Sequence, residues 1–328
     1  MQKTHRDFKR FVIHACVLAS LAVLSIFITN CSSKKARPLS KLPMNWRAID
    51  SLNAQLPAGI RVFAGQNDSL PLRAWYAVID EPDPAIETRI VMSDDAGDNR
   101  ETATSFARDL GACVVVNGGY FTMHKTPAGH MGLLEIDGKI IEPANRSVQR
   151  DTLRFQTTRA AIGFTDADEM DIAWVTSRND TLFAWKNPPE NHPGKPAAAL
   201  DYRNAQPWFM RDAIGVGPAL IMDGKIRVTS DEEVFFGTTI PLVHPRTAAG
   251  YTADGRLILL VVDGRQQASR GVSLRELATL MDELGCVEAL NLDGGGSSTI
   301  VVKGVRLNRP AGKAVEREVM SALAVFCE

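Results

Sequence analysis

Little in this chain points to metals, redox chemistry or nucleic acid. Its 328 residues include only five cysteines and six histidines, and neither set falls into the paired spacing of a zinc or other metal site. Charge of neither sign dominates: 37 Lys and Arg against 38 Asp and Glu leave −1. Residues 1–30 hold four Lys or Arg and one Asp, so the remainder carries 33 against 37, or −4. Without a basic excess, no nucleic-acid partner is implied. No repeat of 20 to 50 residues runs through the chain, which excludes a solenoid or propeller. Aromatics make up 7%, and the five tryptophans are scattered at positions that core packing explains, unlike the exposed aromatic platforms of binding modules. What is there is ordinary globular composition, 45% apolar and 23% charged, enough to build a core without staples.

The longest apolar run lies at the N-terminus. Lys3, Arg6, Lys9 and Arg10 precede an apolar stretch from Phe11 to Ile28, which is followed by Cys31 and the polar Ser32, Ser33, Lys34 and Lys35. This order resembles a bacterial lipoprotein signal, with Cys31 as the lipidated first residue of the mature chain. The box Ile28-Thr29-Asn30-Cys31 departs from the usual small residue before the cysteine. The alternative is an uncleaved membrane anchor, since about 18 apolar residues is near the lower limit for a span. The first reading gives a signal over 1–30, a proline-containing tether over 31–43 and a folded body over 44–328, held by lipid at the cell envelope; either reading places the rest of the chain outside the cytoplasm. In the body, Cys113 and Cys286 each begin a valine-containing apolar run, which reads as buried free thiols. One disulfide among Cys113, Cys286 and Cys327 is the other option, and it leaves one thiol over.

Along the body, helical spacing of Trp46, Ile49, Leu52 and Leu56 predicts a helix over 46–56. Two further helices are expected over 101–110 and 273–284, the second opened by the capping box Ser273-Leu274-Arg275-Glu276, which gives Glu276 a structural task. Asp137-Gly138, Asp223-Gly224 and Asp254-Gly255 sit between apolar runs and read as hairpin turns, so these aspartates are turn formers. Pro188, Pro189, Pro193 and Pro196 mark an exposed loop that could overhang a site. Many hairpins with few helices predict an α+β fold, a large mixed, mainly antiparallel sheet with a few packed helices.

Chemistry concentrates at strand ends. Cys286 to Leu292 is apolar and runs into Asp293, then Gly294, Gly295, Gly296, Ser297, Ser298 and Thr299. A tight turn is the plainer explanation, but three glycines and three hydroxyls exceed what chain reversal needs. Glycine loops that gather backbone N–H groups suit an anionic, oxygen-rich ligand. No Gly-Lys-Ser/Thr follows, so it is not a Walker loop. A second apolar strand ends in Asn117-Gly118-Gly119-Tyr120-Phe121, and a turn explains it equally well in isolation. Beside the first motif it suggests two strands finishing at one pocket. Arg246 opens an apolar segment, while Asp263 and Arg265 close another. A guanidinium held at a strand end is suited to bidentate phosphate recognition, although surface charge is the usual fate of arginine.

From about residue 112 onward, these segments together resemble the phosphodiester glycosidase family. The resemblance rests on Asn117-Gly118-Gly119-Tyr120-Phe121, Gly217-Pro218-Ala219-Leu220, Pro245-Arg246-Thr247-Ala248, Asp263-Gly264-Arg265 with Arg270-Gly271, and Asn291 through Thr299. Residues 44–111 match only loosely, and Ala248 stands where the family often has a bulkier aliphatic side chain. The resemblance implies hydrolysis of an alpha-linked, N-acetylglucosamine-like sugar from a phosphodiester on the sugar side, releasing a phosphomonoester. It places Asn117, Gly118, Arg246, Asp263, Asp293, Gly294, Gly295 and Ser297 at the pocket; Gly119, Arg265 and Gly296 join them as binding residues by position. The expected roles are Asp293 at the anomeric centre as nucleophile or base, Asp263 assisting or orienting, and Arg246 neutralising the departing phosphate with the loop amides. No cofactor is called for, and a divalent cation beside Asp293 stays an open alternative. Rival readings are a metal-dependent phosphodiesterase and a glycan-binding lipoprotein without catalysis.

Overall fold

Alternation of apolar side chains along single strands explains how the body is layered. In Arg256–Val262, the side chains of Leu257, Leu259 and Val261 join a cluster with Val62, Val116 and Ile162. The intervening Ile258, Leu260 and Val262 face the opposite side, against Leu277, Leu280 and Met281. A period of two thus buries both faces of one strand, and each fully buried Leu, Ile or Val contributes about 1.5–3 kcal/mol. The computed structural model describes residues 42–81 and 83–327. The expected signal and Cys31 lie outside those residues.

Three main sheets surround the central cluster. The eight-stranded sheet has the order Asn45–Ala48, Ile60–Asn67, Leu72–Asp80, Arg256–Val262, Arg246–Thr252, Cys286–Asn291, Ala219–Met222, Lys225–Ile226. A seven-stranded sheet is centred on Met170–Arg178 and Arg159–Phe164, and a five-stranded sheet on Val114–Asn117 between Ile300–Val302 and Ser321–Cys327. The helix Leu274–Glu283 covers the outer face of the first, and Ala103–Leu110 covers the third through Ala103, Phe106 and Ala107. A separate hairpin joins Ser147–Arg150 to Leu153–Gln156.

The expectation of one large mixed sheet is therefore corrected. The strands divide among several sheets, and every ladder among the described residues is antiparallel. The fold is β-rich, with few helices. The expected helix over 46–56 is also corrected: Asn45–Ala48 is a strand, and only Asp50–Asn53 is helical. Trp46 pairs across the ladder with Gly65 and packs edge-on to Tyr76 at 4.7 Å between ring centroids. That tertiary niche overrides the helical spacing.

The other local signals behave as their chemistry dictates. Asp137, Gly138, Asp223 and Gly224 all take left-handed φ in their two turns, and Gly255 does so in the third, as tight hairpins require. Thr102 caps the first long helix through Ser105 N–H at 3.0 Å, and the capping box of Ser273 and Glu276 is formed. Cys113 is not a free thiol. It is bonded to Cys327, because Val114–Asn117 and Ser321–Cys327 are adjacent strands. Cys286 is the buried free thiol, and burial pushes it up to about 12.

Candidate active site

The ends of two strands from different sheets are tied together at Asp293. Asn117 closes the central strand of the five-stranded sheet, and its Nδ2 donates to the Asp293 carbonyl at 2.7 Å. Asp293 N–H donates in turn to Gly118 O at 3.1 Å. The Asn117 Oδ1 is also committed, accepting from Thr247 Oγ1 at 2.6 Å and Thr299 N–H at 3.1 Å. Asn117 is therefore a fully buried clamp on the loop and does not present its amide to a ligand. Gly118 and Gly119 pack against Ser321 and His130, where a Cβ would collide. Their task is close strand packing.

Asp293 lies on the wall of a cavity of about 550 Å³, shared with Tyr120, Ser297, Arg150, Arg159 and Arg317. The residue is half-buried, and withdrawal from water raises its carboxyl to about 6. Gly294 N–H donates to its Oδ1 at 2.8 Å, and nearby Arg317 also favours the ionised form. Among the described residues the Ser297 hydroxyl completes no hydrogen bond, although it stands close enough to favour the Asp293 carboxylate. The Ser298 and Thr299 hydroxyls are likewise buried without partners. Gly295 takes a φ of +66°, its N–H held by Pro245 O at 2.9 Å. Gly296 leaves room for Arg317, whose guanidinium a Cβ would meet at 2.5 Å.

Arg246 and Asp263 do not line this cavity. Arg246 is 2% exposed and spends its guanidinium on protein acceptors: Ile240 O at 2.6 Å, Leu242 O, Val272 O at 3.3 Å and Asn291 Oδ1 at 3.4 Å. Burial without a carboxylate partner pushes it down to about 10. It is a brace that holds the 240–242 segment against the strand leading to Asp293. Asp263 is 4% exposed and accepts from Asn308 Nδ2 at 2.9 Å, and Asn308 donates to Ser298 O at 2.8 Å. Asp263 thus supports the glycine loop from beneath, and burial raises its carboxyl. Arg265, exposed at the surface, donates to His244 Nδ1 at 2.9 Å. With Nδ1 accepting, the proton on His244 Nε2 goes to Thr239 O at 2.7 Å.

The cationic groups that do reach the cavity are Arg150, Arg159 and Arg317. Arg150 is partly committed to Phe236 O and Val234 O at 2.9 and 2.8 Å. Arg159 lies over the Phe235 ring at 4.3 Å, and its buried Nε has no partner among the described residues. The nearby Glu233 carboxylate supports its charge against burial. Glu233 itself is fully enclosed and joins two sheets, accepting from Ala160 N–H at 2.9 Å and Ala219 N–H at 2.8 Å. Arg159 carried the same sequence signal as Arg246, a guanidinium directly before an apolar strand. Arg317 sits between two glutamates and had no signal of its own. Tyr120, within the quoted motif but not among the expected site residues, lines the cavity and bonds Gly217 O at 3.0 Å. The proline loop encloses a separate hollow of about 640 Å³ between Trp185 and Asn204 and contributes nothing to the Asp293 cavity. Among the described residues, no three His, Cys, Asp or Glu side chains are grouped to hold a metal ion.

Comparison with known proteins gives a consistent result. The phosphodiester glycosidase family model matches residues 110–326. A Bos taurus N-acetylglucosamine-1-phosphodiester alpha-N-acetylglucosaminidase is 41% identical over 76 residues, 23% of this chain and 14% of that protein. A prophage-derived uncharacterized protein of Bacillus subtilis is 33% identical over 115 residues, 35% of this chain and 17% of that one. The chain thus spans less than a fifth of either relative's length. In fold, the zebrafish enzyme's catalytic domain, described as auto-inhibited by its pro-peptide, superimposes with a TM-score of 0.57 at 21% identity. The overlap covers 87% of this chain and 88% of that domain.

Proposed function

The chain belongs to the phosphodiester glycosidase family, and from that premise we propose that it hydrolyses an alpha-linked sugar from a glycosyl phosphodiester by breaking the bond between the anomeric carbon and oxygen. The observation that carries this reading is the imbalance of charge in the cavity. Among the described residues, Asp293 is the sole carboxylate in its lining, against three arginines. Most glycosidases need a second carboxyl group to protonate the leaving oxygen. A phosphomonoester departs as a weak base and needs cationic stabilisation in place of that proton. Arg159 and Arg317 are placed to supply it.

Desolvation makes the Asp293 carboxylate a stronger base and nucleophile while leaving it ionised at neutral pH. It acts on the anomeric carbon directly or on the attacking water. The bonding pair of the broken C–O bond leaves with the phosphate. An N-acetylglucosamine-like sugar is the substrate proposed from the relatives, and product analysis tests the reaction. Free sugar and a phosphomonoester are expected. Sugar phosphate and free alcohol would mean phosphorus–oxygen cleavage, and tight binding without turnover would mean a glycan-binding protein.

We further propose that the protein acts at the cell envelope on envelope or environmental glycans, held by a lipid on Cys31. Support comes from the basic and apolar order of residues 1–30. Among the described residues, no helix is long and apolar enough to cross a membrane. Cys31→Ser is expected to move the protein from the membrane fraction to the soluble fraction, and unchanged fractionation would refute lipidation at this residue.

A further inference from the structure

The cavity has a polar floor and an apolar mouth. Asp293 and Ser297 lie at the floor, Ser297 being 1% exposed, whereas Met123 and Met131 are 40% and 47% exposed and line the same space. Val148 and Ile240 continue the apolar lining. Beyond Ile240 the surface stays apolar, with Leu242 at 58% and Val243 at 43% exposure. Of the ten large apolar side chains exposed among the described residues, Met123 and Met131 line this one opening, and Leu242 and Val243 follow Ile240 in the chain.

Both segments are held in place. Met123 and Met131 flank an arm in which Phe121 bridges His130 and Thr122 N–H bonds Gly129 O at 2.9 Å. Arg100 ties this arm down through the Met123 carbonyl at 2.8 Å. The other segment is fixed by Arg246 through the carbonyls of Ile240 and Leu242. A fixed cluster of exposed apolar groups at the rim of a charged pocket marks a binding surface.

Resting on the glycosidase reading, we infer that the group esterified to the far side of the phosphate is an aliphatic hydrocarbon chain. The anomeric carbon must reach Asp293, so the sugar occupies the floor, where the Ser297 hydroxyl has no partner among the described residues. The phosphate follows beside Arg159 and Arg317. The aglycone then has only the mouth to leave by, past Met123, Met131, Val148 and Ile240. A second sugar or sugar phosphate would need free hydrogen-bonding partners there, and the rim hydroxyls are already engaged: Thr238 Oγ1 donates to Phe235 O at 2.6 Å and Ser147 Oγ accepts from Arg154 at 2.9 Å, which leaves Asn145 and the unspent part of Arg150 against four apolar side chains. Methionine and branched aliphatic groups suit a flexible hydrocarbon, because unbranched thioethers adapt to irregular apolar shapes.

The test compares methyl and octyl esters of alpha-N-acetylglucosaminyl phosphate, both below any micelle-forming concentration. Each methylene covered by the wall favours binding by about fourfold, so kcat/KM for the octyl ester is expected to exceed that for the methyl ester by at least about 30-fold. Met123→Gln combined with Met131→Gln is expected to collapse the ratio to within about threefold, a change that a general loss of folding would not produce. Equal turnover of the two esters by the unmodified protein would overturn the inference, as would a ratio untouched by the double substitution. If neither ester is cleaved, the N-acetylglucosaminyl substrate is rejected on its own, and the wall is read by calorimetry with methyl and octyl phosphate. Tighter binding of octyl phosphate by tenfold or more supports an apolar aglycone site, and equal binding rejects it.

Discussion

Asp293 is the residue at which activity and stability oppose each other. Its carboxyl titrates near 6 in the folded protein against an ordinary value of 3.8, so between these values the folded state binds more protons than the unfolded one. Stability therefore falls as pH rises through that window, and the full penalty is present above about pH 6. Asp293→Asn is expected to raise Tm at pH 7.5 by about 1–3 °C, with the gain shrinking towards pH 4. The same substitution is expected to lower kcat by about a thousandfold or more. Calorimetric melting across pH, read beside turnover, checks both signs; retention of activity within about threefold would remove Asp293 from the chemistry. This residue was legible in the sequence because a carboxylate, three glycines and a hydroxyl are contiguous and lie at a strand end. The arginines were less legible. Arg246 and Arg159 each precede an apolar strand, and only burial decides that one braces carbonyls while the other reaches the cavity.

At the scale of elements, the site depends on how strand ends from two sheets are clamped. Asn117 does this with one side chain, joining Asp293 O, Thr247 Oγ1 and Thr299 N–H. Asn117→Ala leaves those three groups without their partner in a region closed to water, which costs about 2–4 kcal/mol. Urea unfolding is expected to show that loss, together with a fall in kcat, because the loop carrying Asp293 is no longer fixed. Asn117→Asp tests the donor. Ionised, the carboxylate accepts from Thr247 and Thr299 but is buried without a cation and faces the Asp293 carbonyl, so stability at about pH 8 should stay below that of the unmodified protein. Protonated, it regains a donor to that carbonyl, so the stability deficit should shrink as pH falls; a deficit that does not change with pH would deny the amide donor its role. Hairpins were readable here because Asp-Gly dictates a local left-handed turn, and the two capped helices because their N-termini are satisfied within four residues. The strand at Trp46 was not, since its partner Gly65 is nineteen positions away and no local period encodes that niche.

For the whole molecule, the β-rich character was legible from the density of turn signals, but its division into several sheets was not. Sheet membership depends on which distant strands pair, as when Val114–Asn117 lies between strands that begin at Ile300 and Ser321. The bond between Cys113 and Cys327 belongs to this same long-range order. It spans 214 positions, and a loop of that length carries about 5 kcal/mol of closure entropy, an upper value for the stability the bond adds. Position separates that contribution from catalysis. Cys113 lies at the far end of the strand from Asn117, four residues or about 13 Å away along an extended chain. Ladder hydrogen bonds of Ala322 and Leu323 with Asn117 and Val116 hold the near end without help from the bond. Cys113→Ser combined with Cys327→Ser should therefore lower the urea midpoint clearly while kcat stays within about threefold at temperatures below the new transition. If kcat falls in step with the midpoint while the protein remains folded, the strand end is not independently held, and the disulfide must be counted among the supports of Asp293.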